Sequence, residues 1–371
     1  MKKVLFICLH RPDRSPSQRF RFEQYIDYLK DNGYDCKHVF LLNQARDKTF
    51  YSSEKHFGKA LVLLNSLWIL IRESFFKKYD IVFVQREAFM LGTPYFEKRF
   101  AKRSKLIFDL DDSIWRQQTG EIKSNNKLLY FLKDPNKTKD IIKTAHTVFA
   151  GNQYLADYAL QSNKNVKIIP TTIDTVIYAV IPKREDKKVC IGWSGSFSTI
   201  IHFEFVVKAL TTLKEKYGDR IYFKVIGDGT YKNENLGIQG IPWVKKTEIE
   251  DFSEIDIGLM PLPDDEWTKG KCALKGLQYM SLGIPCIMSP IGVNRDIIED
   301  GVNGFLASTN EEWIERLSKL IESFELRQKV GAAGRKTVED GFSVQANKPL
   351  YLKYFKELTD NLDCPFCSFI D

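Results

Sequence analysis

A chain of 371 residues with 43% hydrophobic, 13% aromatic and 28% charged residues is too apolar to stay disordered and long enough for two domains, each with a core. Its net charge of +7, from 55 Lys plus Arg against 48 Asp plus Glu, suits an anionic ligand or membrane surface, but is too mild for a nucleic-acid partner to be expected. Seven scattered cysteines, at 8, 36, 190, 272, 286, 364 and 367, argue against a secreted disulfide framework and for a reducing cytoplasm.

In chain order, the apolar run 4–9 is shorter than a signal-peptide core and meets the polar HRPDRSPSQR at once, so it reads as a first β-strand. The longest apolar stretch, ALVLLNSLWILI at 60–71, falls short of the ~20 residues that span a bilayer. Apolar nearly all round and followed by Arg72, Lys77 and Lys78, it reads first as a buried core helix and second as a helix resting on a membrane. The basic run Lys98, Arg99, Lys102, Arg103 and Lys105 reads as a solvated face, with anionic lipid as the alternative.

Short apolar runs alternate with amphipathic ones throughout, the pattern of βα units on a parallel sheet. Strands are predicted at 3–9, 36–41, 81–85, 105–110, 147–150 and 166–169. A break follows at Pro170 and a charged linker at 182–188, and a second series comes at 189–193, 222–226, 257–260, 285–288 and 304–307. The expected architecture is α/β: two doubly wound domains, at 1–174 and 188–345. Residues 346–371 form a C-terminal helix that packs back on the first domain, plus a tail. Cys364 and Cys367 in that tail form one CxxC, two ligands short of a zinc site. Open α/β sheets bind ligands beyond the carboxyl ends of their strands, so the loops there are where chemistry is sought.

Strand 189–193 runs into Gly195, Ser196, Ser198 and Thr199 and then a helix. Such a loop offers backbone N–H groups, hydroxyls and a helix N-terminus to a diphosphate, or else is a plain turn capped by Ser198 or Thr199. Gly227 and Asp228 follow the next strand and bring backbone close to a ligand. Without GxGxxG and an acidic residue ~20 positions on, a dinucleotide enzyme is disfavoured. If 271–282 is helical, Lys271, Lys275 and Gln278 share one face. Two ammonium groups at a helix start suit a diphosphate, and the amide suits sugar hydroxyls.

The segments RFRFEQYIDYL, FVQREA, FDLDDSIW, AGNQYLADYA, IPTTID, GWSGSFST, VIGDG, GKCALKGLQYMSLGIPCIMSPIGVN and EDGVNGFL, in this order and spacing, make the chain resemble the family 4 retaining glycosyltransferases over nearly its whole length. The resemblance implies the GT-B fold, two facing Rossmann-like domains with an inter-domain cleft. It also implies transfer of a sugar from a nucleotide diphosphate sugar with retention of configuration, and neither cofactor nor metal is expected. The donor falls to the second domain and the acceptor to the first.

The chain departs from the family at telling places. The Glu-x7-Glu pair would fall on Gly270 and Gln278, the basic pair after GWSG gives way to Ser196, Ser198 and Thr199, and a common His falls at or near Asp111. Donor contacts are therefore assigned to Gln278, Asp264, Asp265 and the backbone of Lys271, Cys272 and Ala273. Lys275 takes the charge of the leaving diphosphate, supported by Lys271. Asp111, then Asp109, are the carboxylates that orient the acceptor or stabilise the oxocarbenium, unless they merely cap the next helix. Arg14, Ser15, Arg19 and Arg21 after the first strand, with Arg86 and Glu87 after the third, are the acceptor-binding candidates.

The expectation is a cytoplasmic glycosyltransferase, peripheral on the inner membrane face, acting on a glycan or polyprenyl-linked acceptor. The pathway is cell-surface polysaccharide, lipopolysaccharide or glycoprotein-glycan assembly. The alternatives are a catalytically degenerate nucleotide-sugar-binding subunit and a sugar-nucleotide epimerase of the same fold.

Overall fold

The computed structural model describes residues 1–52, 56–116, 134, 136–185 and 188–360; Cys364 and Cys367 lie outside them. The chain forms two units, one of Met1–Pro170 with Asn347–Asp371 and one of Thr171–Ala346.

The first unit is built on strands β1 (Lys2–His10), β2 (Tyr34–Leu42), β3 (Ile81–Gln85), β4 (Lys105–Leu110), β5 (Thr147–Ala150) and β6 (Val166–Ile168). They form one sheet in the order β2-β1-β3-β4-β5-β6, all parallel. Residues 4–8, 81–84 and 106–108 are buried throughout, as strands covered on both faces require. The strand order reverses between β1 and β3, so their carboxyl ends flank the switch point where such sheets bind ligands.

Helices α1 (His56–Phe76) and α2 (Tyr95–Ala101) precede β3 and β4. The expectation of a core helix at 60–71 is corrected: only one flank of α1 is buried, and Leu61, Leu64 and Trp68 face solvent. Among the described residues no helix is long and apolar enough to cross a membrane. The C-terminal helix (Val344–Asp360) closes an aromatic core. Tyr351 stacks on Tyr25 at 4.2 Å, and Phe355 lies 6.2 Å from Phe6.

The second unit carries β7 (Val189–Ser194), β8 (Ile221–Gly227), a short ribbon of β9 (Lys232–Asn233) and β10 (Ile238–Gln239), then β11 (Ile241–Pro242), β12 (Ile257–Met260), β13 (Cys286–Met288) and β14 (Phe305–Leu306). The main sheet runs β11-β8-β7-β12-β13-β14, again all parallel. Its switch point falls between β7 and β12. Helix α3 (Ile200–Tyr217) packs with α5 (Asn310–Glu322), and α4 (Leu274–Ser281) with α6 (Phe324–Thr337). Ile173 pairs with Ser343, and its N–H donates to the Phe342 carbonyl at 2.8 Å, so the second unit begins ahead of the charged linker.

Candidate functional site

In the second unit the loops after β7, β8 and β12 gather at the switch point. Gly227, at φ +127°, lies so close to the β7 loop that an added Cβ would sit 1.9 Å from the Gly195 carbonyl oxygen. The close approach expected to serve a ligand is thus made to the neighbouring loop. Asp228 is likewise spent locally, its carboxylate accepting the Thr230 N–H at 2.8 Å and hydroxyl at 2.6 Å. Ser196 and Thr199 form a capping box at the approach to α3, and the Ser196 and Ser198 hydroxyls lie 3.0 Å apart. Ser196 caps the 3-10 turn Phe197–Thr199, and Thr199, one of the two expected caps, stands at the N-cap of α3 itself. Ser196 and Ser198 are exposed and Thr199 is half-buried.

Helix α4 begins at Leu274, three residues later than predicted. Lys271 is extended, and the buried Ala273 is held in the left-handed region at φ 56°. A non-glycine there is costly and clusters at sites that need it. The turn before it is fixed by Asp265, which accepts the Thr268 N–H at 2.8 Å. Asp264 is exposed and 3.9 Å from Lys269, and the Cys272 thiol leans on the Gly270 carbonyl at 3.7 Å.

Lys275, half-buried in the first turn of α4, places its Nζ 5.0 Å from the Trp193 ring centre, and Lys271 lies over Trp267 at 4.8 Å. Burial, with Lys271 beside it, pulls the Lys275 ammonium down to about 7. Among the described residues it forms no ion pair with a carboxylate. His202, missed in the sequence, belongs to the same cluster. It is buried, its Nδ1 has no hydrogen-bond partner among the described residues, and burial with Lys275 and Lys271 lowers it to about 4. The concentration of positive charge beside unpaired buried polar atoms is what an anionic ligand would relieve.

Gln278 does not join Lys275. It is buried, with its amide donating to the Tyr178 hydroxyl at 3.2 Å and to Glu248 at 3.3 Å, while Tyr178 donates to Glu248 at 2.7 Å. The expected ligand contact is corrected to a structural network, because the core side of α4 offers better partners than the loop side.

In the first unit, Arg21 and Asp109 are withdrawn from ligand. Their side chains are 1% exposed, with Arg21 Nη2 2.5 Å from Asp109 Oδ1, and Arg21 also donates to the Ile169 carbonyl. Burial pushes the Asp109 carboxyl up, against the pull of Arg21. Asp111 receives a two-pronged fork from Arg86, Nε at 2.7 Å and Nη2 at 3.0 Å, with the Gln85 amide at 3.2 Å. Arg86 itself is left-handed, at φ 62°. Glu87 pairs with Lys137 at 2.7 Å.

Arg14 donates to Asp47 at 2.8 Å, Arg11 reaches the same oxygen at 3.4 Å, and His10 Nδ1 lies 3.2 Å from the other. Tyr51 completes the group, 3.3 Å from His10 Nε2. Burial lowers His10 to about 4, with Asp47 opposing. Ser15 bonds Ser17 at 2.8 Å, and Arg19 lies against Phe20. His10, Asp47 and Tyr51 escaped the sequence reading. His10 ends β1 and was visible as a strand-end residue, whereas Asp47 carried no local signal.

Residues 188–323 match the family model "Glycosyl transferases group 1". An uncharacterized glycosyltransferase of Methanocaldococcus jannaschii is 26% identical over 308 residues, 76% of each chain. Among solved structures, sucrose-phosphate synthase from Thermosynechococcus elongatus superposes with a TM-score of 0.69 at 12% identity, covering 97% of this chain and 100% of that one. Anabaena Alr3699/HepE, in complex with UDP and glucose, does so with a TM-score of 0.66 at 12% identity, covering 96% and 100%. These likenesses give the GT-B fold.

Proposed function

We propose that this chain of GT-B fold is a family 4-like glycosyltransferase, a reading supported by the group 1 model over residues 188–323 and the relative at 26% identity, and that it transfers a hexosyl group from a nucleotide diphosphate sugar, with retention, to a glycan or polyprenyl-linked acceptor in cell-surface glycan assembly. One observation carries the reading: Lys275, in the first turn of α4, stands against Trp193 with Lys271 beside it and, among the described residues, no carboxylate paired to it. A half-buried cation that repels a second cation is poised for an anion of more than one charge. The UDP and glucose in the Anabaena structure are the kind of donor this anion implies.

In the proposed reaction the bond between the anomeric carbon and the phosphate oxygen breaks, and the departing diphosphate is stabilised by Lys275, Lys271 and the N–H groups opening α4. The acceptor hydroxyl attacks from the leaving-group side, its oxygen bonds the anomeric carbon, and its proton passes to a phosphate oxygen. Asp111, oriented by Arg86 and Gln85, directs the acceptor hydroxyl; Asp109 holds Arg21 and acts only through the framework. Arg14 stays an acceptor candidate with Arg86, and the diphosphate needs no metal beyond these cations.

Calorimetric titration with UDP, GDP, CDP and dTDP and their sugar conjugates, in EDTA, tests the donor site. Micromolar binding of one diphosphate that Lys275→Ala abolishes is expected. No binding of any would favour the degenerate subunit, and conversion of the free sugar nucleotide without acceptor would favour the epimerase.

A further inference from the structure

Helix α1 turns an apolar face to solvent, where a helix on a globular surface is ordinarily polar. Its outward stripe is Phe57, Leu61, Leu64, Trp68 and Phe75, from 39% exposed at Phe75 to 62% at Trp68 and 79% at Phe57. On the buried flank Lys59, Ser66, Glu73 and Ser74 stand with Val62 and Leu70. That inner polarity is matched: Glu73 accepts from Lys37 at 2.6 Å, Arg72 at 2.8 Å and the Tyr79 hydroxyl at 2.5 Å, and Ser66 donates to the Val62 carbonyl at 2.8 Å. Phe57, Leu61, Leu64 and Trp68 of the apolar stripe are each more than half exposed. At spacings of four, three, four and seven residues the stripe keeps to one line along a helix about 30 Å long.

The exposed charges at the carboxyl end of this stripe are basic, its carboxylates Glu73 and Asp80 being buried or half-buried. Arg72, Lys77 and Lys78 are exposed on the chain itself. From α2 and the turn after it, Arg99 stacks over Phe75 at 3.1 Å, and Arg103 donates to the Phe75 carbonyl at 3.1 Å. A shallow depression beside it is lined by Tyr79, Asp80, Lys102, Arg103, Lys105 and His146. Its one carboxylate is already engaged by the Lys3 N–H at 2.6 Å.

We propose that α1 docks the protein on an anionic lipid bilayer, lying in the plane of the membrane with the Phe57-to-Phe75 stripe among the acyl chains and the cations around Lys102 and Arg103 on the lipid phosphates. A wide aromatic and aliphatic stripe bounded by basic residues is the pattern that holds a helix at a lipid interface. A second copy of the helix is the other occupant an apolar seam invites, but the flanking positions Gly58, Ala60, Asn65, Leu67 and Ser74 are uncharged and Arg72 is basic, so they offer no opposite charge to pair such copies. The inference deepens the proposed function only in setting a lipid-borne acceptor within reach, and its test does not read transfer, so either can fail alone.

The test is flotation of the full chain with vesicles of phosphatidylcholine alone and of phosphatidylcholine with phosphatidylglycerol, alongside light scattering of the protein without lipid. The expected result is binding to the anionic vesicles only, weakened about tenfold by Lys77→Glu with Lys78→Glu and by raised salt. It should be lost in Leu64→Glu with Trp68→Glu. Both pairs are exposed, so unchanged circular dichroism is expected and separates loss of docking from loss of fold. Failure to float with anionic vesicles, equal binding to neutral ones, or binding indifferent to Leu64→Glu with Trp68→Glu would each overturn the proposal. A dimer in solution that this variant splits, without vesicle binding, would assign the stripe to a second copy instead.

Discussion

Lys275 shows how one side chain can report both on folding and on ligand. Its ammonium is lowered to about 7 from an ordinary value of 10.5, so between those limits the unfolded chain binds the proton that the folded chain has released. Stability then rises with pH from about 7 towards 10 and stays at its lower level below 7. Lys275→Met should flatten that rise in urea titrations across the range. A bound diphosphate favours the charged form, so nucleotide diphosphate binding should take up a proton near pH 7.5 and weaken as pH climbs, which calorimetry in buffers of different ionisation heat reads directly. Arg21 makes the opposite case, a cation with no ligand to meet. Arg21→Ala leaves the Asp109 carboxylate buried and alone and should cost about 3–5 kcal/mol in equilibrium unfolding. What the sequence carries about Lys275 is local, a second lysine four residues before it at the start of a predicted helix. The partners of Gln278, Tyr178 and Glu248, lie 100 and 30 residues away, beyond any local pattern, and nothing in an alanine announces the left-handed backbone of Ala273.

At the level of elements, parallel strands covered on both faces must be continuous apolar runs, which is why β3, β4, β5 and β12 were legible to the residue. β11 escaped because two residues, one of them Pro242, make no periodic pattern. The face that α1 presents was not legible either: an all-round apolar helix gives no clue to which side is covered. Where two loops meet, glycine is decisive. Gly227→Ala would force a methyl into the Gly195 carbonyl at an unfavourable φ and should destabilise the second unit by about 3 kcal/mol or more. Gly237→Ala, also at positive φ but with nothing within 4 Å, should cost only about 1–2 kcal/mol. Parallel thermal unfolding of the two variants separates contact from backbone strain, and only the first should also weaken nucleotide binding.

For the whole molecule, the composition foretold two cores, and the first of them joins Met1–Pro170 to the C-terminal helix, the segment expected to return to it. Phe355 is fully buried against Phe6 and Phe149 of the first unit. Phe355→Ala should therefore cost about 3–5 kcal/mol, and hydrogen exchange should show the lost protection in β1 to β6 while β7 to β14 keep theirs. The same closure sets an order of events on the ribosome. The strands of the first sheet emerge early, yet Tyr25, Phe6 and Phe83 stay without their covering helix until the whole second unit has been translated, a wait of about ten to thirty seconds at ordinary elongation rates. Throughout it the nascent chain exposes an aromatic surface that a holding chaperone would recognise, so the second unit should be able to reach its native state before the first one does.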